Sequence, residues 1–272
     1  MTETIIYITI SVVAITFLII NQKSYWEDHL KVILRPKLEI LVCLVLVGLS
    51  YSSIELHKDK KNKHTEFTIG SLDQKSIEKI NILDRSIAGR WDIKAKDNGK
   101  IFKNIAVYLI PLFLFLFKGS IKRKLVLFFV FSQGYILTES LTGLTKGLVD
   151  RYRPFAYMSK IGLENLTSRQ KEKFLEDIVD YDILNSFFSG DASNLAYGLA
   201  FFAFSYSLIY SSRTSRIIVW IIAFLGVFLG CYFRTLSGKH FPTDVIAGGL
   251  VGVLVAVGII KLHINKRTKY EQ

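Results

Sequence analysis

Long apolar runs nearly free of charge alternate along this chain with shorter polar segments, most of them basic. A helix crossing the hydrocarbon core of a bilayer needs about 20 predominantly apolar residues. Seven runs approach that length: 5–20, 38–54, 101–117, 125–148, 192–210, 217–232 and 244–264. The pattern predicts an all-α fold, a polytopic transmembrane helical bundle. A β-barrel would show shorter segments in strict alternation, and the sequence has none. Two weaker patterns lie between the runs. Residues 168–179 read as a short polar helix. INILDRSIAGRWDI (80–93) has helix-like apolar spacing and a tryptophan, the signature of a segment lying in the membrane interface.

The polar segments set the organisation. Residues 1–36 form an N-terminal membrane anchor with a linker. Residues 37–265 form the transmembrane core, with a polar loop at 55–100, and 266–272 form a basic tail. The flank MTET carries an acid and no base, and no small-residue cleavage site follows, so the first run reads as a retained anchor rather than a signal peptide. KGSIKRK (118–124), SSRTSR (211–216), the linker before 37 and the tail concentrate lysine and arginine. The positive-inside rule puts them on the cytoplasmic side and the loop 55–100 outside, its lysines notwithstanding, because long loops obey the rule weakly. The expected location is a bacterial inner (plasma) membrane. The end of run four, the start of run five, the end of run six and the start of run seven then meet at the extracytoplasmic face.

Charge and cysteines narrow the partners. The net charge of +12 belongs to loops flanking membrane segments, which face anionic headgroups. No nucleic-acid-binding motif appears, so the bilayer is the partner and nucleic acid is excluded. Cys43 and Cys231 lie inside apolar runs, as packing residues rather than a disulfide or metal pair.

Three polar clusters gather at the predicted outer face. KGLVDRYRP (146–154) places Lys146 at a helix end and Arg153 before a proline. Alone, these are snorkelling cations. SFFSGDASN (186–194) opens a helix, where the N–H groups of Ser189, Gly190 and Asp191 suit an anion, although a plain cap explains them equally well. FRTLSGKHFPTD (233–244) brings Arg234, His240 and Asp244 together across a loop-to-helix junction. An aspartate can hold one imidazole nitrogen and leave the other free to attack. Ionisable groups beside membrane helices mark function. Three cations, one helix start and one His–Asp pair at one face point to an anion with several oxygens, most simply phosphate.

These clusters resemble the type 2 phosphatidic acid phosphatase superfamily, which also includes the vanadium haloperoxidases. Its pattern is K-x6-RP, then PSGH, then SR-x5-H-x3-D. Lys146, Arg153 and Pro154 match the first part, and Arg234, His240 and Asp244 match the third at the same spacing. Phe233 stands where the third part has serine. In the second part Ser189 and Gly190 match, Phe188 replaces the proline and Asp191 replaces the histidine. The resemblance implies a six-helix phosphatase core in runs two to seven, with run one as an extra helix. It implies a metal-independent lipid phosphatase with no cofactor. Lys146, Arg153, Arg234, Ser189 and Gly190 would bind phosphate, His240 would form a phosphohistidine, and Asp244 would orient it.

The position of Asp191 is where the resemblance implies a general acid for the leaving group. Three readings follow. Asp191 takes up a proton with the substrate and acts as the acid; or the substrate is a pyrophosphate, whose leaving phosphate needs little acid; or the protein is a weak or inactive member that binds an anionic lipid. The remaining histidines supply no substitute: His29 and His263 fall on the cytoplasmic side, and His57 and His64 are distant in sequence. A non-enzymatic binder or transporter is the rival class, but the chain shows no internal repeat of the transporter kind.

Overall fold

The computed structural model describes residues 34–63, 67–72, 74–179 and 181–263. The first apolar run, most of the linker and the tail lie outside the described residues. Within them, six helices are long and apolar enough to cross a membrane: Lys37–Lys60, Ile93–Leu116, Ile121–Leu148, Gly190–Ile209, Arg213–Leu236 and Pro242–His263. They correspond to runs two to seven, so the chain is an all-α integral membrane bundle. In chain order the helices are α1 (Pro36–Lys63), α2 (Gln74–Glu78), α3 (Ile82–Arg85), α4 (Ile93–Asn104), α5 (Ile110–Phe113), α6 (Ile121–Leu148), α7 (Lys160–Glu164), α8 (Ser168–Val179), α9 (Gly190–Ile209), α10 (Arg213–Leu236) and α11 (Pro242–His263). No strand occurs among the described residues, only an isolated parallel bridge between Arg151 and Asn185.

The helix starts are written in the sequence. Ser120, Ser189 and Ser212 cap α6, α9 and α10 through their hydroxyls, and Asp92 caps α4, each satisfying an otherwise orphaned N–H. Helix α4 continues through a π-helical turn (Ile105–Leu109) into α5. Pro111 follows that turn. A proline ring collides with the carbonyl four residues back, and the wider turn gives it room.

Helix α9 is the hub, packed against α11, α10, α6 and α4. Its approach to α11 depends on two glycines of α11. A Cβ on Gly248 would strike the Ser189 carbonyl, and one on Gly252 the Ser193 carbonyl. Small residues spaced by four let membrane helices pack backbone to backbone. Here that contact sets the start of α9 against the start of α11, where the Ser189 N–H donates to the Asp244 carbonyl at 3.1 Å. Interhelical hydrogen bonds add to the packing: the Tyr197 hydroxyl donates to the Phe131 carbonyl at 2.6 Å, and Thr142 and Ser193 pair at 3.2 Å. Helix α1 lies at the edge against α6, joined by the Ser50–Ser140 pair at 2.9 Å. On the outer side of α10, Ile217, Ile221, Phe224 and Phe228 are exposed at helical spacing, as for a surface in contact with lipid.

The bundle has two unlike ends. At one, the turn after Phe117 meets the turn after Ile209, where the Lys118 N–H donates to the Tyr210 hydroxyl at 3.2 Å. This end carries Lys118, Lys122, Arg123, Lys124, Arg213 and Arg216. At the other, the segments outside the helices build a polar cover. The loop after α6 pairs with the segment before α9: Arg151 N–H donates to Leu184, Arg153 N–H to Ile183, and Ser186 N–H to Arg151, at 2.9–3.1 Å. Beneath α8, Trp91, Phe155, Phe174, Ile178 and Ile183 form a second small core. Asp177 of α8 accepts from Trp91 Nε1 at 3.0 Å and from Lys96 and Lys239 at 2.8 Å each.

Within residues 80–93 the helix-like spacing yields one short helix, Ile82–Arg85, rather than a continuous one. Ile82 and Leu83 are exposed, while Asp84 and Trp91 are buried in the cover. Charge-assisted hydrogen bonds to Asp84 tie the stretch to the rest of the cover.

Candidate functional site

The buried centre at the covered end is His240, in the loop Ser237–Phe241 between α10 and α11. Gly238 starts that loop with a φ of +72°, and a Cβ there would strike the Arg90 carbonyl. Glycine is the residue that accepts both conditions. The Gly238 carbonyl takes the Phe155 N–H at 3.2 Å, which ties the loop to the cover.

The imidazole has one defined tautomer. Nδ1 lies 2.7 Å from the Ser186 carbonyl, which can only accept. Nε2 lies 3.2 Å from Arg153 Nη1, which can only donate. So Nδ1 carries the proton, and the Nε2 lone pair faces the arginine. Burial and the charges of Arg153, Arg234 and Lys146 hold the imidazole well below its ordinary value, against the pull of the Ser186 carbonyl. A free histidine is half protonated near pH 6.5, and His240 should stay neutral below that. The ¹⁵N shifts of His240 in detergent micelles, assigned by comparison with His240→Ala, should remain those of a neutral Nδ1–H ring as the pH falls from 8 through the ordinary histidine value of about 6.5. Titration at 6.5 or above would contradict the geometry.

Asp244 is not hydrogen-bonded to this ring. Its Oδ2 lies 4.0 Å from Nδ1, beyond hydrogen-bond range. That oxygen accepts instead from the Ser186 hydroxyl at 2.5 Å and from the Phe241 N–H at 2.9 Å. Asp244 therefore fixes the two backbone segments that hold the imidazole, and the acceptor for Nδ1 is a main-chain carbonyl. Its Oδ1 accepts from Arg151. Arg151 also pairs with the wholly buried Asp84 at 2.6 Å and lies over the Phe241 ring at 4.6 Å. Asp84 completes the cluster by accepting from Thr243 N–H at 3.0 Å and its hydroxyl at 2.5 Å.

The motif cations surround the ring unequally. Arg153 is buried, and its donors are largely used: Nε to the Asp182 carbonyl (2.8 Å), Nη1 to the Lys239 carbonyl (2.7 Å) and His240, and Nη2 to the Asp182 carboxylate (2.6 Å). An arginine has five N–H donors, which leaves one on Nη2. Burial pushes the Asp182 carboxyl up, but Arg153 and Lys146 outweigh it and hold it far below the usual carboxylate range. Arg234 pairs through Nη2 with Asp191 at 2.7 Å. Lys146 lies in the same field, acting on both His240 and Asp191.

The start of α9 contributes less than its sequence suggests. The Ser189 hydroxyl caps Ala192 N–H at 3.3 Å, and the Ser189 N–H is taken by Asp244. Gly190 and Asp191 begin the helix, where N–H groups lack intrahelical partners. A Cβ on Gly190 would sit 2.8 Å from a Thr142 methyl, so this glycine lets α9 approach α6.

Lys146, Arg153, Ser189, Gly190, Asp191, Arg234, His240 and Asp244 thus gather at one end of the bundle. Sequence reasoning passed over Ser186, Arg151, Asp84, Asp182 and Lys239. Ser186, Arg151 and Lys239 lay inside the quoted motifs, and Asp84 inside the stretch 80–93. Nothing local marks Asp182.

An α-helical membrane bundle that gathers an imidazole among lysines and arginines at one end suits a ligand with several anionic oxygens. The chain belongs to the PAP2 superfamily, whose profile matches residues 123–268, more than half of its length. Membership, together with membrane-length helices, supports a phosphatase-type, lipid-related function. Searches of curated proteins and of solved structures found no match.

Proposed function

We propose that this protein is a membrane phosphatase that hydrolyses a lipid phosphate or diphosphate through a phosphohistidine on His240, at the extracytoplasmic face. One observation carries the reading: the Nδ1 proton of His240 is spent on Ser186, so Nε2 is the one ring nitrogen with a lone pair, and it lies where Arg153 donates to it. Attack by Nε2 forms an N–P bond and expels the substrate oxygen; water then cleaves that bond and returns the lone pair. Arg153, Arg234 and Lys146 offset charge on the phosphoryl oxygens, which is the larger part of such catalysis. The basic turns at the opposite end of the bundle support the outward orientation. The test is phosphate release in detergent from a panel of lipid monophosphates and diphosphates.

A weak, mainly binding role is the second reading. It is favoured by the two carboxylates already on the motif arginines, Asp182 on Arg153 and Asp191 on Arg234. Retained binding of an anionic lipid with no release from any panel member would establish it.

The Arg234 pair also bears on Asp191 as an acid. A carboxylate bonded to a guanidinium at 2.7 Å has no proton to give. Asp191→His would restore a donor at this position, and general acids contribute about 10²–10⁴-fold. Monoester hydrolysis should rise by roughly 10-fold or more. A fall of that size would mean that Asp191 itself donates.

A further inference from the structure

Asp191 faces a second cation that lies in none of the three motifs. Its Oδ2 takes Arg234, and its Oδ1 stands 3.9 Å from Lys103 Nζ. Lys103 belongs to α4, which packs against α10 and α9. One turn earlier on the same face is Gly99, where a Cβ would sit 2.9 Å from Arg234 Cδ. The bare backbone at Gly99 lets the arginine stem lie against α4 and brings Lys103 to the carboxylate. The same arginine supplies an independent sign of a ligand: its Nε is buried with no hydrogen-bond partner. The guanidinium that holds Asp191 thus still has an N–H without an acceptor.

We propose that Lys103 is the specificity-determining residue of this site, holding the outgoing phosphate of a lipid diphosphate. The proposal rests on the phosphatase reading and names its substrate class. His240 Nε2 attacks the terminal phosphorus, and the bond from that phosphorus to the bridging oxygen breaks. The electron pair stays on that oxygen, now part of a lipid monophosphate. Such a phosphate has a second pKa of about 6, so it leaves without a proton and needs only a cation. Lys103 and the Nε of Arg234 supply the positive charge and the donor. An alkoxide, whose conjugate acid resembles water with a pKa near 15.7, would need a proton that the paired Asp191 does not carry. Water then cleaves the N–P bond, Nε2 keeps the electron pair, and the oxygen and both protons of the water depart as inorganic phosphate, released as dihydrogen phosphate.

The experiment compares a C15 prenyl diphosphate with a diacylglycerol monophosphate in the same micelles, for wild type, Lys103→Met and Lys103→Arg. Wild type should favour the diphosphate in kcat/KM by about 100-fold, the scale of a missing general acid. Lys103→Met should shrink that preference at least tenfold, and Lys103→Arg should restore most of it. A wild type that prefers the monophosphate, or a preference unchanged in Lys103→Met, overturns the proposal while leaving the phosphatase reading standing. A second measurement needs no variant. Inorganic pyrophosphate should inhibit wild type at a concentration at least tenfold below that of inorganic phosphate, and equal potency overturns the assignment. A wild type that releases phosphate from neither lipid removes both readings together.

Discussion

His240→Ala is expected to reduce phosphate release by on the order of 10⁴–10⁶-fold, the range in which deletion of a nucleophile falls, with the fold retained. The size follows from the tautomer. Nδ1 is committed to a carbonyl, so Nε2 is the only nitrogen of the ring that can attack. The second buried histidine, His263, is at the far end of the bundle, held by the Ile259 carbonyl at 2.7 Å and Glu39 at 3.3 Å. Alanine removes a ring without stranding a charge, because the imidazole is neutral where it sits. The Ser186 carbonyl and one Arg153 donor lose a partner, at about 1–3 kcal/mol for a buried group left unmade. Two readouts check the expectation. Steady-state release measures the loss of rate. Quenching ³²P-labelled substrate in alkaline detergent should trap an acid-labile, alkali-stable adduct on wild type and none on the variant. A variant that keeps a tenth of the activity would remove His240 as nucleophile.

The spacing of Lys146, Arg153, Arg234, His240 and Asp244 was legible because each motif is local and its chemistry depends on residue type. So were the membrane helices, since a bilayer demands a length and an apolarity that can be read directly. The supporting structure was not legible, for two reasons. Some of it is backbone: the acceptor for His240 Nδ1 is the carbonyl of Ser186, and any residue has a carbonyl. The rest is tertiary. Asp84 lies 159 residues before its partner Thr243, in a stretch where only the apolar spacing drew notice. Arg151 and Arg153 are two residues apart and look equivalent, yet one binds Asp84 and Asp244 and the other binds Asp182 and His240. Lys103 sits just inside an apolar run, and no local pattern singles it out. Only the approach of α4 at Gly99 joins it to Asp191.

The largest stability effect should come from Arg151→Leu, at about 3–5 kcal/mol, the usual cost of removing one partner from a buried ion pair. Arg151 bridges Asp84 and Asp244, both 0% exposed. Its loss leaves two carboxylates facing each other out of water. Lysine should rescue only in part, because an ammonium cannot serve two carboxylates with the planar fork of arginine. The companion Asp84→Asn takes one charge away. In Arg151→Leu/Asp84→Asn the two losses should therefore add to less than their sum by more than about 1 kcal/mol, as coupled neighbours do. Additive losses would show that the carboxylates do not interact. Acid has a related effect. Burial pushes the Asp84 carboxyl up, but hydrogen bonds from Thr243, Asn81 and Arg151 more than offset it and hold the group below its ordinary value. A carboxyl lowered by folding gives stability that is present above the unfolded pKa of about 3.9 and is lost as pH falls through the folded one. Without Arg151 that hold weakens, so acid unfolding should begin at a higher pH. Asp244 also positions Ser186 and Phe241 on either side of the nucleophile. Arg151→Leu should therefore lower kcat and stability together, whereas His240→Ala lowers kcat with the bundle intact. Thermal unfolding in detergent, run beside the rate assay, separates the two, and full activity in a destabilised Arg151→Leu would show that this network supports the fold alone.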